Sequence, residues 1–371
     1  MSSKTSNKEL YIGMISGTSR DGVDTALVSF EGTVPRLSET LCLPYPADLA
    51  DSLKDMIEAG QRPGVNELER MDDRLGDFFS RAVQALLEKA GIESSVVTAI
   101  GSHGQTVWHD PGGTNPESIQ LGKPQYIADN TGIVTIGDFR RADIEAGGQG
   151  APLAPLLHRA VFKPDSGTRI VLNLGGIANI SILNSSGSVS GFDTGPANCL
   201  LDGWIREQRG ELYDKDGAWS AGGEVNQLLL LNLLMDPWFK QPPPKSTGVE
   251  HFNLQWLKKQ EIVNSIDPRD VQATLAQLTA STVASAIAPF SPADILVCGG
   301  GVHNMDLIHR LQDLLPGIPV LSTADHGLNP DWVEAVLFAW LARERLAGNA
   351  QDTCIITGAR QRVLLGQICE P

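Results

Sequence analysis

Twice along this 371-residue chain an apolar run ends at a glycine-containing turn and a second apolar run follows at once. The first instance is Tyr11–Ser16, the loop Gly17-Thr-Ser-Arg-Asp-Gly22 and Val23–Phe30. The second is Ile170–Leu174, Gly175-Gly176 and Ile177–Leu183. Two short apolar runs joined by such a turn read as a β-hairpin. Helical and strand-like material follows each hairpin. Leu68, Met71, Leu75, Phe78, Phe79, Val83 and Leu86 recur at three- and four-residue spacing, which predicts a helix over 66–90, stopped by Gly91. Val96–Ser102 predicts a strand. In the second half, a helix is expected from Asn198 and a strand over Asp294–Cys298. That strand runs into Gly299-Gly-Gly301 and a helix to about Leu315, with a further apolar helix over 332–346. Residues 241–248, rich in Pro and Gly, predict a loop. The pattern implies two similar mixed α/β halves with a cleft between them.

The charge balance narrows the function. Lys and Arg total 29 against 44 Asp and Glu, a net charge of −15. Nucleic acid and anionic membranes call for clustered basic residues, so neither is an expected partner. Any phosphate must be held locally, by backbone N–H groups or a metal. Five cysteines without a C-x-x-C pair predict reduced thiols rather than a disulfide framework or zinc cluster. The start is polar, and no apolar run approaches the ~20 residues of a bilayer span. A cytoplasmic protein is the expectation.

The familiar phosphate signatures are absent. Lys123 follows Gly122 but precedes Pro124, and Lys245-Ser246 lacks the glycine of a Walker A loop; Gly299-Gly-Gly301 does not continue as G-x-G-x-x-G. The loop from Ser16 to Gly22 can serve as an anion nest, with Ser16, Thr18 and Ser19 adding hydroxyls and Asp21 able to hold Mg²⁺; it also fits a plain polar turn. The turn Gly299–Asn304 can lie against adenine or ribose, or simply make a tight helix entry. Asp193, in Gly191-Phe-Asp-Thr-Gly-Pro196, suits a general base facing a cleft or a helix cap. Asp138-Phe-Arg140-Arg141 with Gly147-Gly-Gln-Gly150 suits a ligand-lining segment or a surface ion-pair run. His103 suits a hydrogen-bonding role within Ser102–Thr106. Glu334 opens an apolar stretch, where it needs a partner or the helix dipole.

Together and in order, these segments resemble the anhydro-N-acetylmuramic acid kinase family. The matching stretches are Met14-Ile-Ser-Gly-Thr-Ser-Arg-Asp-Gly-Val-Asp24, Ser102-His-Gly-Gln-Thr106, Asp138-Phe-Arg140, Gly147-Gly-Gln-Gly-Ala-Pro152 and Asn173-Leu-Gly-Gly-Ile-Ala-Asn179. Phe192-Asp-Thr-Gly-Pro196, Pro244-Lys-Ser-Thr-Gly248, Cys298-Gly-Gly-Gly301, Val333-Glu-Ala335 and Thr357-Gly-Ala359 continue the series. They span nearly the whole chain. Ile15 and Ala197 depart from the usual pattern without removing a functional group.

The resemblance implies an α/β, two-lobed actin-like ATPase (ribonuclease H-like) fold with ATP and substrate in the interlobe cleft. It assigns residues 1–138 plus 353–371 to one lobe and 139–352 to the other. It implies ATP and Mg²⁺ as cofactors, with Asp21 at the metal. Nucleotide contacts are implied at Gly17, Thr18, Ser19, Arg20, Asp21, Gly22, Val23 and Asp24. Further contacts are implied at Gly175, Gly176, Gly299, Gly300, Gly301 and Asn304. Thr106 and Arg140 match substrate contacts, Asp193 the base and Glu334 a second acid. A homodimer is also implied. Two other readings stay open on the residues: a kinase for a different anhydrosugar such as levoglucosan, and a non-catalytic ATP-driven binding protein.

Overall fold

The computed structural model describes residues 9–17, 22–243 and 245–371. The predicted positions Thr18, Ser19, Arg20 and Asp21, the last being the expected Mg²⁺ ligand, lie outside the described residues. In chain order the strands are β1 Leu10–Ser16, β2 Gly22–Glu31, β3 Val34–Pro44, β4 Val97–Asp110, β5 Glu117–Leu121 and β6 Thr135–Gly137. They continue as β7 Thr168–Leu174, β8 Ile177–Asn184, β9 Val189–Pro196, β10 Asp294–Cys298, β11 Val320–Ser322 and β12 Gln367–Cys369. Two sheets result, one ordered β12-β6-β4-β1-β2-β3 with β5 on β4, the other β11-β10-β7-β8-β9. The chain packs as two compact units, Met1–Val161 with Trp332–Pro371, and Phe162–Asp331. Residues 139–161 and 332–352, expected in the second lobe, pack with the first unit.

In the first unit the hairpin β1–β2 is antiparallel, and β4 runs parallel to β1. Alternation along β1 separates two packing faces. Ile12 and Met14 join a core with Leu75, Phe79 and Leu86 of helix Val65–Ala90. That helix has the expected amphipathic stripe, and Gly91 ends it at φ 67 with its N–H on the carbonyl of Glu88. Gly13, between Ile12 and Met14, faces helix Val333–Leu346 instead. A Cβ there would stand 1.8 Å from the carbonyl oxygen of Ala335, and one on Gly101 of β4 would stand 2.0 Å from that of Phe338. These two glycines let the helix rest on the strand backbones. Residues 335–342 of that helix are all buried.

In the second unit β7, β8 and β9 form an antiparallel meander, with β10 parallel to β7 and β11 parallel to β10. Ile170, Leu172, Ile180, Ile295 and Val297 make a core with Val283 and Ile287 of helix Pro268–Ile287. Asp267 caps that helix by accepting from the N–H of Arg269. β7, β9 and β10 point the same way. Their carboxyl ends therefore gather Gly175-Gly176, Asp193 and Gly299-Gly-Gly301 at one edge of the sheet, where open α/β sheets bind ligands.

Candidate active site residues

The first unit holds the described ends of the predicted phosphate loop. Ser16 Oγ lies 2.8 Å from the carbonyl oxygen of Gly22 and 2.6 Å from Gln105 Oε1, tying the hairpin ends to β4. Among the described residues a Cβ on Gly17 would meet nothing within 4 Å. Val23 is fully buried in the core and offers only its backbone. Asp24 is half-buried at the start of β2.

The strand expected to end at Ser102 continues as β4 to Asp110. Gly104 sits at φ 81, where a Cβ would stand 2.5 Å from the carbonyl oxygen of Leu121. The register of β4 against β1 shifts between Met14 and Ser16. Thr106 is half-buried and its Oγ1 accepts from Gln120 Nε2 at 3.2 Å. His103 is buried, with Nδ1 2.9 Å from the carbonyl oxygen of Gly104 and Nε2 2.9 Å from Arg140 Nη2. Burial first, and the Arg140 charge second, push its pKa well below the usual range, so the ring is neutral. Burial also lowers Arg140 to about 10, and its Nε is buried without a partner.

Glu334 lies in the first turn of helix Val333–Leu346. Its surface is open to solvent, yet protein closes round it enough for desolvation to raise its pKa above the usual carboxylate range; the Asp24 charge adds to the rise and Arg140 opposes it. Glu334 thus feels both Asp24 and Arg140 electrostatically. A cavity of about 690 Å³ in this unit is bordered by Ser102, His103, Gly104 and Gln120, but not by Thr106, Arg140 or Glu334. The segment Gly147–Gly150 serves a structural tie: Asp143, fully buried, accepts from the N–H of Gly150 and from Thr357 Oγ1, both at 2.7 Å.

In the second unit Asp193 lies within β9. Asn179 pairs with Asp193 while Ala178 pairs with Gly195, so Thr194 is the extra residue of a bulge. Bulges re-aim side chains beside sites. The predicted loop 241–248 supplies the partners: Asp193 Oδ2 accepts from the N–H of Thr247 at 2.9 Å, and its own N–H donates to the carbonyl of Lys245. Trp238 pins that loop by donating from Nε1 to the carbonyl of Ser246, and its ring lies 4.3 Å from Lys245 Nζ. Burial pushes the Asp193 carboxyl up to about 6, with Glu250 adding; the Thr247 N–H and Lys245 oppose it. A carboxylate poised there can take a proton at neutral pH.

The turn at Gly299–Gly301 packs tightly against the end of β7. Gly175 and Gly176 accept at their carbonyls from the N–H groups of Ala197, Asn198 and Cys199, which start helix Asn198–Arg209. A Cβ on Gly299, at φ 80, would stand 2.4 Å from Asn173 Oδ1, and one on Gly301 2.5 Å from Leu174 Cβ. These two glycines are required by packing. Gly300 is exposed, and a Cβ on Gly175, Gly176 or Gly300 would find no atom within 3.5 Å, so these three leave backbone free for a flat or anionic ligand. Asn304 is buried, and its Oδ1 caps helix Met305–Leu314 by accepting from the N–H of Leu307. Among the described residues no group of three or more His, Cys, Asp or Glu could hold a metal, and no helix is long and apolar enough to cross a membrane.

Comparison with known proteins follows the same lines. A family model described as anhydro-N-acetylmuramic acid kinase matches residues 9–371. Anhydro-N-acetylmuramic acid kinase of Vibrio cholerae serotype O1 is 46% identical, over 98% of this chain and 99% of that protein. The protein of that name from Xanthomonas campestris pv. campestris (strain 8004) is 46% identical over 97% of each chain. Among solved structures, (R)-2-hydroxyglutaryl-CoA dehydratase component A of Acidaminococcus fermentans superposes with a TM-score of 0.50 at 10% identity, over 91% of this chain and 99% of that one. That likeness concerns the fold alone.

Proposed function

The chain belongs to the anhydro-N-acetylmuramic acid kinase family, and on that premise we propose that it converts ATP, 1,6-anhydro-N-acetylmuramate and water into ADP and N-acetylmuramate 6-phosphate, a step of cell-wall recycling. The full-length family match carries the reading. The chemistry of Asp193 supports it independently.

The anhydrosugar's bridging oxygen joins C1 to C6. Water must add at C1 while that oxygen leaves C1, stays on C6 and takes the γ-phosphoryl group. The attacking water has to lose a proton, and Asp193, with its pKa at about 6, is ionised at neutral pH and basic enough to accept it. Its carboxylate is held by the Thr247 N–H through Oδ2, which leaves Oδ1 for the proton. Glu334, more basic than an ordinary carboxyl, assists in orienting the water and the sugar. Arg140 and Thr106 contact the sugar.

Phosphoryl transfer needs positioning and charge neutralisation more than covalent chemistry from the protein. The backbone at Gly17 and Gly22–Asp24 is assigned to the phosphates, and that at Gly175, Gly176 and Gly300 to the nucleoside. For Mg²⁺, the residues present fit: the Asp24 charge already pushes up Glu334, so this end of the hairpin is electronegative, and Mg²⁺ commonly takes only one or two carboxylates alongside phosphate and water. Asp21 is the proposed ligand. When bound, Mg²⁺ would neutralise charge on the β- and γ-phosphates. A homodimer and a cytoplasmic location are part of the same reading.

The deciding assay couples ADP release to 1,6-anhydro-N-acetylmuramate in ¹⁸O-enriched water. Label in the anomeric hydroxyl and phosphate on O6 are expected. An intact anhydro bridge in the phosphorylated product would overturn the reading.

A further inference from the structure

His103 stands between the backbone and Arg140 with no choice of tautomer. A carbonyl oxygen can only accept, so the Nδ1 facing Gly104 carries the proton. A guanidinium can only donate, so the Nε2 facing Arg140 offers its lone pair. The ring is buried and lies against Phe338, with centroids 4.6 Å apart; Phe338 in turn meets Phe139, the neighbour of Arg140, at 5.4 Å. One of the five N–H groups of Arg140 is thereby fixed. Nε remains buried with no partner, and among the described residues no carboxylate lies within ion-pair distance of the guanidinium. Glu334 attracts the guanidinium only from beyond ion-pair distance, which leaves its burial incompletely offset, and the fork matches a planar carboxylate. At neutral pH the one charged group of the anhydrosugar is its lactyl carboxylate.

We propose that His103 is a positioning residue that holds Arg140 so that the free edge of its guanidinium receives the lactyl carboxylate, which makes this pair a determinant of sugar specificity. The inference rests on the reading of Arg140 as a substrate contact. A sugar without the lactyl group leaves the guanidinium edge unpaired, and sites built for a charged partner reject analogues lacking it.

Calorimetric binding in the absence of nucleotide tests this, with 1,6-anhydro-N-acetylmuramate and 1,6-anhydro-N-acetylglucosamine as the two probes. Arg140→Ala should weaken the muramate about 100-fold, as loss of one partner of a desolvated charge pair does, while the glucosamine changes less than about threefold. His103→Asn keeps a donor for Gly104 but falls short of Arg140. It should weaken only the muramate, by about tenfold. His103→Gln, whose Oε1 reaches the place of Nε2, should bind within about threefold of the wild type. Melting curves confirm that all three variants fold. Equal weakening of both sugars by His103→Asn, no weakening of either, or failure of His103→Gln to restore binding overturns the positioning role. Equal weakening of both sugars by Arg140→Ala overturns the lactyl assignment. Unchanged binding in Arg140→Ala overturns the underlying reading of Arg140, whatever the His103 variants do.

Discussion

The carbonyl oxygen of Ala335 stands 1.8 Å from the point a Cβ on Gly13 would occupy, so strand and helix meet there only because residue 13 has no side chain. The obstructing atoms are backbone, including Ala339 N at 2.7 Å, and cannot swing aside. Gly13→Ala should therefore displace the helix that carries Glu334 and Phe338, at a cost of about 3 kcal/mol or more. Urea denaturation measures the loss, and turnover should fall with it. Gly112→Ala is the control: it lies in an exposed turn, nothing stands within 4 Å of its Cβ, and stability should change by less than about 0.5 kcal/mol.

Asp193→Asn keeps an oxygen to accept from the Thr247 N–H but removes the base. The maximal rate should drop about 10³-fold with the KM for ATP little changed. A variant turning over at the wild-type rate would remove Asp193 from the chemistry.

The same substitution should stabilise the fold at pH 8. The carboxyl's pKa is raised from its ordinary 3.8 to about 6 in the folded protein, so ionisation is disfavoured there. Wild-type stability then declines as pH climbs between those two values and stays at the lower level above about 6. Asparagine carries no such penalty, and a gain of about 1–2 kcal/mol above pH 7 is expected, allowing for partial solvent access. Chemical denaturation at pH 4 and pH 8 should show the gain only at the higher pH.

Activity should fall about tenfold per pH unit on the acid side of an inflection near 6. Two neighbours move that inflection in opposite directions. Lys245 holds the Asp193 pKa down, so Lys245→Met should shift the acid limb upward; Glu250 holds it up, so Glu250→Gln should shift it downward. Profiles of kcat/KM against pH for the two variants settle the signs.

Much of the architecture follows from patterns visible along the chain, and the exceptions have physical causes. Both strand–turn–strand units form the hairpins expected, each within its own mixed α/β sheet. Helix Pro268–Ile287 escaped the pattern because it is buried nearly all round, with Gln272, Thr274, Thr279 and Thr282 among its thirteen buried residues, so no apolar stripe of 3.6-residue period stands out. β4 was expected to stop at Ser102, since a glycine-containing run normally ends a strand; Gly104 instead lets it continue past a register shift. Asp193 was legible as a placed carboxylate, but its Thr247 partner was not, because it contributes only a backbone N–H from 54 positions away. The weight of Gly13 and Gly101 was equally hidden, since the helix they admit comes more than 200 residues later.

Asn304 was grouped with the nucleotide contacts, whereas the capping signal of Asn before a helical run accounts for its side-chain oxygen. Asn304→Ala should cost about 1 kcal/mol, and Asn304→Asp, which caps equally well, should restore it. Thermal denaturation measures both. An unchanged KM for ATP in the Asp variant would leave capping as the whole role of the side chain.

Asp143 joins the loop before residue 151 to Thr357, and β12 completes the first sheet from residues 367–369. The second unit, by contrast, is one uninterrupted stretch that ends at Asp331. Helix Val333–Leu346, which carries Glu334, and the edge strand β12 both come from residues beyond it, so cutting the chain after Asp331 would strip both from the first unit and leave the second with every residue it packs.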